Sequence, residues 1–323
     1  MKKLASLILA TLTAFTLIFT ATACGGESNA NEIHVGILQV ATHSALDSAR
    51  LGFKEVVNAW AAENGKTVVY DEENANGDPT AEVTIAEGLA AKNPDLMLGI
   101  ATSSARALAN STGKIPVLFT AVTAPAEENL LSDNVTGTSD MNPVAEQIAL
   151  IKEIKPNAKK IGFLYNSSEN NSRIQCELAK AKCQELDITL VEFTASLSSE
   201  IATVVESILS DVDAVYIPTD NLMAENINLI CNILHSKQIP VIGGEEGMCG
   251  DEGAVATLGI DYFELGKQTG EMAVAILSGA KNVKDITFEQ YNKVPAFFIN
   301  EANALAAGLS QSLIDALKAN HQK

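Results

Sequence analysis

The sequence predicts an α/β protein built as two Rossmann-like lobes, each a parallel sheet flanked by helices, with a ligand cleft between them. Three observations carry this. From Ile33 onward, short apolar β-branched runs alternate with longer stretches of helical period, which is the grammar of a parallel sheet covered on both faces. The grammar then repeats at a spacing of about 125 residues, too long for a solenoid and suited to two similar lobes. Finally, 323 residues exceed one ordinary core.

In chain order, the first half reads as strand 33–38, helix 45–64, strand 67–71, helix 80–92, strand 95–101, helix 103–111 and strand 115–120. The second half reads as helix 144–154, strand 160–165, helix 171–186, strand 189–193, helix 199–209, strand 214–218, helix 222–236 and strand 239–242. The halves echo each other in wording: Lys114-Ile115-Pro116-Val117 against Gln238-Ile239-Pro240-Val241, and Ile33 to Leu38 against Lys160 to Leu164. Strand 254–260, helix 262–278, strand 296–299 and helix 310–319 follow. These are too many elements for the second lobe alone, so the chain is expected to cross between lobes more than once. The expected division is 33–141 with 260–286 for lobe one, and 142–259 with 287–323 for lobe two.

The amino terminus carries an export pattern. Lys2 and Lys3 precede an uncharged apolar run, 4–20, and Ala21-Thr22-Ala23-Cys24 supplies small residues ahead of a cysteine. This resembles a bacterial lipobox. The resemblance implies a signal peptide at 1–23, cleavage before Cys24, acylation of that cysteine and a polar tether at 24–32. The apolar run is short for a membrane span.

Composition narrows the partners. Formal net charge is −18, and −20 once Lys2 and Lys3 leave with the signal. With no Lys/Arg cluster to neutralise phosphates, nucleic acid is not an expected partner. Cys176, Cys183, Cys231 and Cys249 show no zinc-ligand spacing. Cys176 and Cys183 lie two turns apart on one helix, about 10 Å, too far for a disulfide, and read as small buried apolar residues. Cys231 and Cys249 could pair. No nucleophile elbow, zinc-protease helix, P-loop or glycine-rich dinucleotide turn is present, so neither an enzyme nor a cofactor is expected.

Ligands of open parallel sheets bind beyond the carboxyl ends of the strands. Reading only those loops gives His43, Ser103, Ser104 and Thr123 in the first half, and Asn166, Glu169, Asn171, Asp220 and Glu245 in the second. Ser103 and Ser104 open a helix, where free N–H groups and the dipole favour an anion. Single loops of this kind are explained by helix capping; six at equivalent positions favour a shared cleft.

Four runs carry a resemblance: Gly77-Asp78-Pro79, Phe119 to Thr123, Tyr216 to Asn221, and Gly259 to Gly266. Their order is similar to that of the ABC-transporter substrate-binding lipoproteins that include tryptophan- and tyrosine-binding members. The resemblance covers about residues 32–309. It implies a type I periplasmic-binding architecture with three interlobe crossovers, and a partner permease and ATPase. It also implies that a ligand carboxylate meets Ser103 or Ser104 and Thr123, and that its ammonium meets Glu245 or Asp220. Family members often carry Asp where this chain has Ala124. The expected function is therefore a lipid-anchored extracytoplasmic binding protein of an ABC importer, taking a small zwitterion such as an aromatic amino acid. A sensor or adhesin on the same fold is the alternative.

Overall fold

The computed structural model describes residues 31–321. The first lobe opens with β1 (Glu32–Gln39), α1 (Ser44–Glu63), β2 (Thr67–Asn74), α2 (Pro79–Ala91), β3 (Leu96–Ile100), α3 (Thr102–Ser111), β4 (Val117–Val122) and β5 (Val135–Ser139). The chain then crosses to α4 (Val144–Ile154), β6 (Lys160–Tyr165), α5 (Asn170–Glu185), β7 (Thr189–Thr194), α6 (Ser198–Ile208), β8 (Ala214–Ile217), α7 (Asn221–Glu225), α8 (Ile227–His235), β9 (Val241–Gly243) and β10 (Ala256–Gly259). It returns with α9 (Tyr262–Leu277) and β11 (Glu289–Gln290), and crosses a third time to β12 (Ala296–Ile299), α10 (Glu301–Ala306) and α11 (Gln311–His321).

Two six-stranded sheets result, ordered β11-β5-β4-β3-β1-β2 and β12-β10-β9-β8-β6-β7. Every pairing is parallel except β10 with β12. Central strands such as β3 and β4 are buried along their whole length, as helices on both faces require. The edge strands β2 and β7 carry the exposed polar positions. Local signals agree with the fold: Pro79 begins α2, and the Asp78 carboxylate accepts from the N–H groups of Thr80 and Ala81.

Helix α9 is held to the first lobe by an unusually close crossing with α1. A Cβ on Gly52 would sit 2.0 Å from the Phe263 carbonyl oxygen, and one on Gly266 2.0 Å from that of Ala49. The two glycines let the backbones touch and so fix Tyr262 at the cleft. The cores lie on either side of each sheet, around Ile37, Phe53 and Leu98 in the first lobe and Phe163, Tyr216 and Ile314 in the second. No helix among the described residues is long and apolar enough to cross a membrane.

The α/β class and the paired parallel sheets match the expectation. Several details differ. β5 (Val-Thr-Gly-Thr-Ser) lacks the bulky apolar residues that marked the other strands. The expected helix 222–236 is two helices, broken at Asn226, whose φ of −108° leaves the helical range. The division at 286/287 falls too early, because Glu289 and Gln290 pair with Thr138 and Ser139 of the first sheet; a two-residue strand has no periodicity to read. Cys231 and Cys249 are free thiols, as are Cys176 and Cys183. The signal peptide, Cys24 and residues 25–30 of the tether lie outside the described residues.

Candidate functional site

In each sheet the strand order reverses between its first and third strands, β1 and β3 in one lobe and β6 and β8 in the other. These are topological switch points, where the following loops diverge and leave a crevice. The two crevices face each other, and the loops from both lobes enclose a cavity of about 20 Å³. Its lining includes His43, Thr102 and Thr123 from the first lobe and Asn171, Asp220 and Glu245 from the second, with Asp140 and Tyr262 from the crossovers. That volume holds about one water molecule.

Asp140 ends the first crossover and is 3% exposed. Its Oδ1 accepts from the Thr123 hydroxyl at 3.0 Å and its Oδ2 from the Tyr262 hydroxyl at 2.7 Å. Burial pushes the carboxyl upward in spite of both donors. Glu245 is equally buried, follows β9, and accepts from the Gly247 N–H at 2.6 Å. Burial raises it to about 7, with Glu246 and Asp140 adding to the shift. The loop comes this close because Gly244 lies against the Pro218–Thr219 backbone, where a Cβ would approach to 2.4 Å. Gln147 holds the same loop by donating to the Gly244 carbonyl at 3.0 Å.

Asp220 also lines the cavity, yet its oxygens are committed inside its own lobe. It accepts from the Asn166 N–H at 2.7 Å, the Ser172 hydroxyl at 2.7 Å and the Met223 N–H at 3.0 Å, so it caps α7. Burial and the Glu169 charge push it upward while those donors oppose. Of the two expected acids, Asp220 is thus the one held by three donors of its own lobe.

Backbone also contributes to the cavity wall. Ala101 (φ 78°) follows β3, and Ala121 (φ 56°) lies in β4 where its register with β5 shifts; both are in the left-handed region and both line the cavity. α3 starts there without a side-chain cap, so its first-turn N–H groups are available to an anion.

Two expected residues serve differently. The hydroxyls of Ser103 and Ser104 both donate to Glu82 Oε1 at 2.8 Å. Ser104 is fully buried behind the cleft, and Ser103 lines only an outer chamber of about 400 Å³ at its mouth. Asn166 and Glu169 also line that chamber. Glu169 accepts from the N–H groups of Asn221 at 3.0 Å and Leu222 at 3.2 Å, which supports α7. Asn171 reaches both spaces and donates to the Thr219 carbonyl at 2.8 Å.

The lobes meet at the mouth. His43 Nε2 lies 3.2 Å from Asn221 Oδ1 across the cleft. Asn170 Nδ2 donates to Glu128 Oε1 at 2.5 Å, and Glu128 Oε2 pairs with Arg106 at 2.5 Å. Behind the cavity, Asn142 joins two crossovers: its Oδ1 accepts from the Ile260 N–H at 3.2 Å, and its Nδ2 donates to the Tyr262 hydroxyl at 3.4 Å.

Sequence reasoning missed Asp140, Asn142 and Tyr262. The first two follow a strand too weak in pattern to read, so no strand end pointed to them. Tyr262 stood in the quoted Gly259 to Gly266 run, but as the first residue of a helix rather than a loop.

Comparison with known proteins agrees with this architecture. The family model for ABC transporter substrate binding proteins matches residues 34–315. The tyrosine-binding protein of Clostridioides difficile (strain R20291) is 33% identical over 98% of this chain and 95% of its own length. A Streptococcus pneumonia ABC domain in complex with L-Trp superposes with a TM-score of 0.81 at 34% identity, covering 88% of this chain and 98% of that one. The ligand-free, open structure of a Clostridium difficile substrate binding protein with adhesive properties gives a TM-score of 0.65 at 35% identity, covering 86% and 96%. The fold is that of the type I periplasmic-binding proteins, and the chain is a member of the ABC transporter substrate-binding protein family, a family of binding proteins rather than enzymes.

Proposed function

We propose that this chain is the ligand-capturing subunit of an ABC importer and that its ligand is an aromatic α-amino acid, tyrosine or tryptophan. One observation carries the reading: the cavity lining joins two desolvated carboxyls, Asp140 and Glu245, to the uncapped start of α3, with no Lys or Arg among its residues. A zwitterion supplies what this arrangement lacks. Its ammonium would neutralise the acidic end, where an isolated buried carboxylate is costly. Its carboxylate would take the α3 N–H groups, with Thr123 and Tyr262 orienting Asp140. The aromatic assignment is supported by the names of the two relatives, one a tyrosine-binding protein and one crystallised with L-Trp.

In this reading, ligand enters with the lobes apart and is held as they close about the crossovers, with the cavity wider around it than the present 20 Å³. Binding shifts the population toward the closed form by its differential affinity. The lipobox reading adds a tether: acylated Cys24 would hold the protein at the outer face of the membrane, beside a permease. An adhesin remains the second reading, favoured by the adhesive properties of the one relative.

The test is a thermal-shift screen of residues 25–323 against amino acids, nucleosides and sugars, with calorimetric titration of each hit. A ligand at 100 times its dissociation constant adds about 2.7 kcal/mol. Tyrosine or tryptophan should lead the screen. A sugar or nucleoside as the sole hit would overturn the amino-acid reading.

A further inference from the structure

The side chain of His43 is fixed in one tautomer by a chain of hydrogen bonds that crosses the cleft. The Glu169 carboxylate is an acceptor at both oxygens, since backbone N–H groups of Asn221 and Leu222 donate to them at 3.0 and 3.2 Å. The side-chain amide of Asn221 meets the same carboxylate at 2.6 Å, so the group facing Glu169 is the NH₂. That leaves Asn221 Oδ1 facing His43 Nε2 at 3.2 Å. An oxygen that can only accept requires Nε2 to carry the proton. Nδ1 is then a bare lone pair.

That lone pair has no partner. Nδ1 is buried from solvent and makes no hydrogen bond. His43 occupies the N-cap position of α1, where a side chain commonly accepts from the first-turn N–H groups, yet it makes no such bond. Burial lowers the imidazole's affinity for a proton, outweighing the opposing effects of Asn221 and Asp47, so protonation does not occupy the site either. His43 meanwhile lines the cavity, as does Leu46.

We infer that His43 Nδ1 is a specificity-determining acceptor that takes the side-chain donor of the ligand, the phenol O–H of tyrosine or the indole N–H of tryptophan. This rests on the aromatic amino-acid reading above and sharpens it. Phenylalanine has the same backbone and nearly the same apolar surface but no donor, so it leaves Nδ1 desolvated and unpaired. A site built to pair with a ligand O–H or N–H rejects the analogue that lacks it, because its own buried polar atom is stranded.

The experiment is calorimetric titration of wild type, His43→Phe and His43→Gln with L-tyrosine, L-tryptophan and L-phenylalanine. Wild type should bind its preferred donor ligand at least about 10-fold more tightly than phenylalanine. In His43→Phe, which keeps a ring and removes the lone pair, that ratio should collapse toward one, mainly through loss of the donor ligand. His43→Gln, whose amide oxygen can accept, should restore part of it. A second readout uses wild type alone: the ¹⁵N resonance of Nδ1 should have the signature of an unprotonated ring nitrogen, and should shift on binding the donor ligand but not phenylalanine. If the aromatic ligands bind and the ratio is the same in all three proteins, or Nδ1 is protonated, the acceptor role is wrong and the aromatic reading stands. If none of the three ligands binds wild type, the aromatic reading itself fails and takes this inference with it.

Discussion

The Tyr262 hydroxyl donates to Asp140 Oδ2 at 2.7 Å across 122 residues of sequence, joining the segment that leaves the first lobe to the helix that returns to it. The bond couples the acidic end of the cavity to the hinge. Asp140 is thus oriented by its lobe through Thr123 and by the crossover through Tyr262.

Asp140→Asn keeps the volume and removes the charge; one of the two acceptor oxygens becomes an NH₂, toward which the facing hydroxyl can turn its lone pair. Affinity for an amino-acid ligand should fall by about 100-fold or more, the range for breaking a buried ion pair. Unliganded stability at neutral pH should hold or rise, because a desolvated carboxylate is gone. Titration calorimetry and thermal denaturation of the same variant read the two effects separately. An affinity within a few-fold of wild type would remove Asp140 from the site.

Asp220→Asn should behave in the opposite way. Its three donors bond within its own lobe. The substitution replaces one acceptor oxygen with an NH₂ that cannot accept from them. Stability should fall by about 1–3 kcal/mol, while affinity stays within a few-fold. A large affinity loss with unchanged stability would reverse the assignment between Asp220 and Glu245.

Glu245 gives a pH signature. Its folded-state value of about 7 lies above the ordinary 4.5, so the native state binds more protons than the unfolded chain between those values. Its contribution to stability is fully present below about pH 4.5 and is lost as pH rises to about 7. Pairing with an ammonium reverses the preference and expels the proton. Titrations near pH 6 in buffers of different ionisation enthalpy should show net proton release, fading above pH 8. Proton uptake near pH 6 would contradict the pairing.

Glu128 bridges the lobes at the mouth, accepting from Asn170 on one side and pairing with Arg106 on its own. Arg106 is half exposed, so the pair is partly screened by solvent. Glu128→Ala should raise the ligand dissociation rate by about 2- to 5-fold and leave the association rate nearly unchanged, as stopped-flow fluorescence would measure. An effect on association alone would point to steering rather than to holding the cleft shut.

Cys24→Ala tests the anchor. The variant should appear in the soluble extracytoplasmic fraction, or persist as an unprocessed precursor, when the wild-type protein partitions with membranes. A fully processed variant that still fractionates with membranes would refute the lipobox reading.

Much of the architecture was legible in the sequence because it rests on local periodicity. Ile33 to Leu38 and Lys160 to Leu164 are apolar runs at matching places, and the helices between strands repeat at 3.6 residues. Those patterns alone set the fold class, and the rule that ligands bind beyond strand ends led to His43, Thr123, Asn171, Asp220 and Glu245, all on the cavity wall. What the pattern could not settle was which polar atoms are already spent. Ser103 and Ser104 stand at a helix start as an anion site would require, yet their hydroxyls turn to Glu82, 21 and 22 residues away. Asp140 and Tyr262 meet only because β5 and α9 return to one hinge, and neither carries a local signal of that meeting. Periodicity is a property of neighbours in sequence, whereas hydrogen-bond saturation and desolvation depend on atoms brought together from distant segments. That is why the sequence determined the scaffold and the loops, and only the tertiary structure decided which groups in them remain available to a ligand.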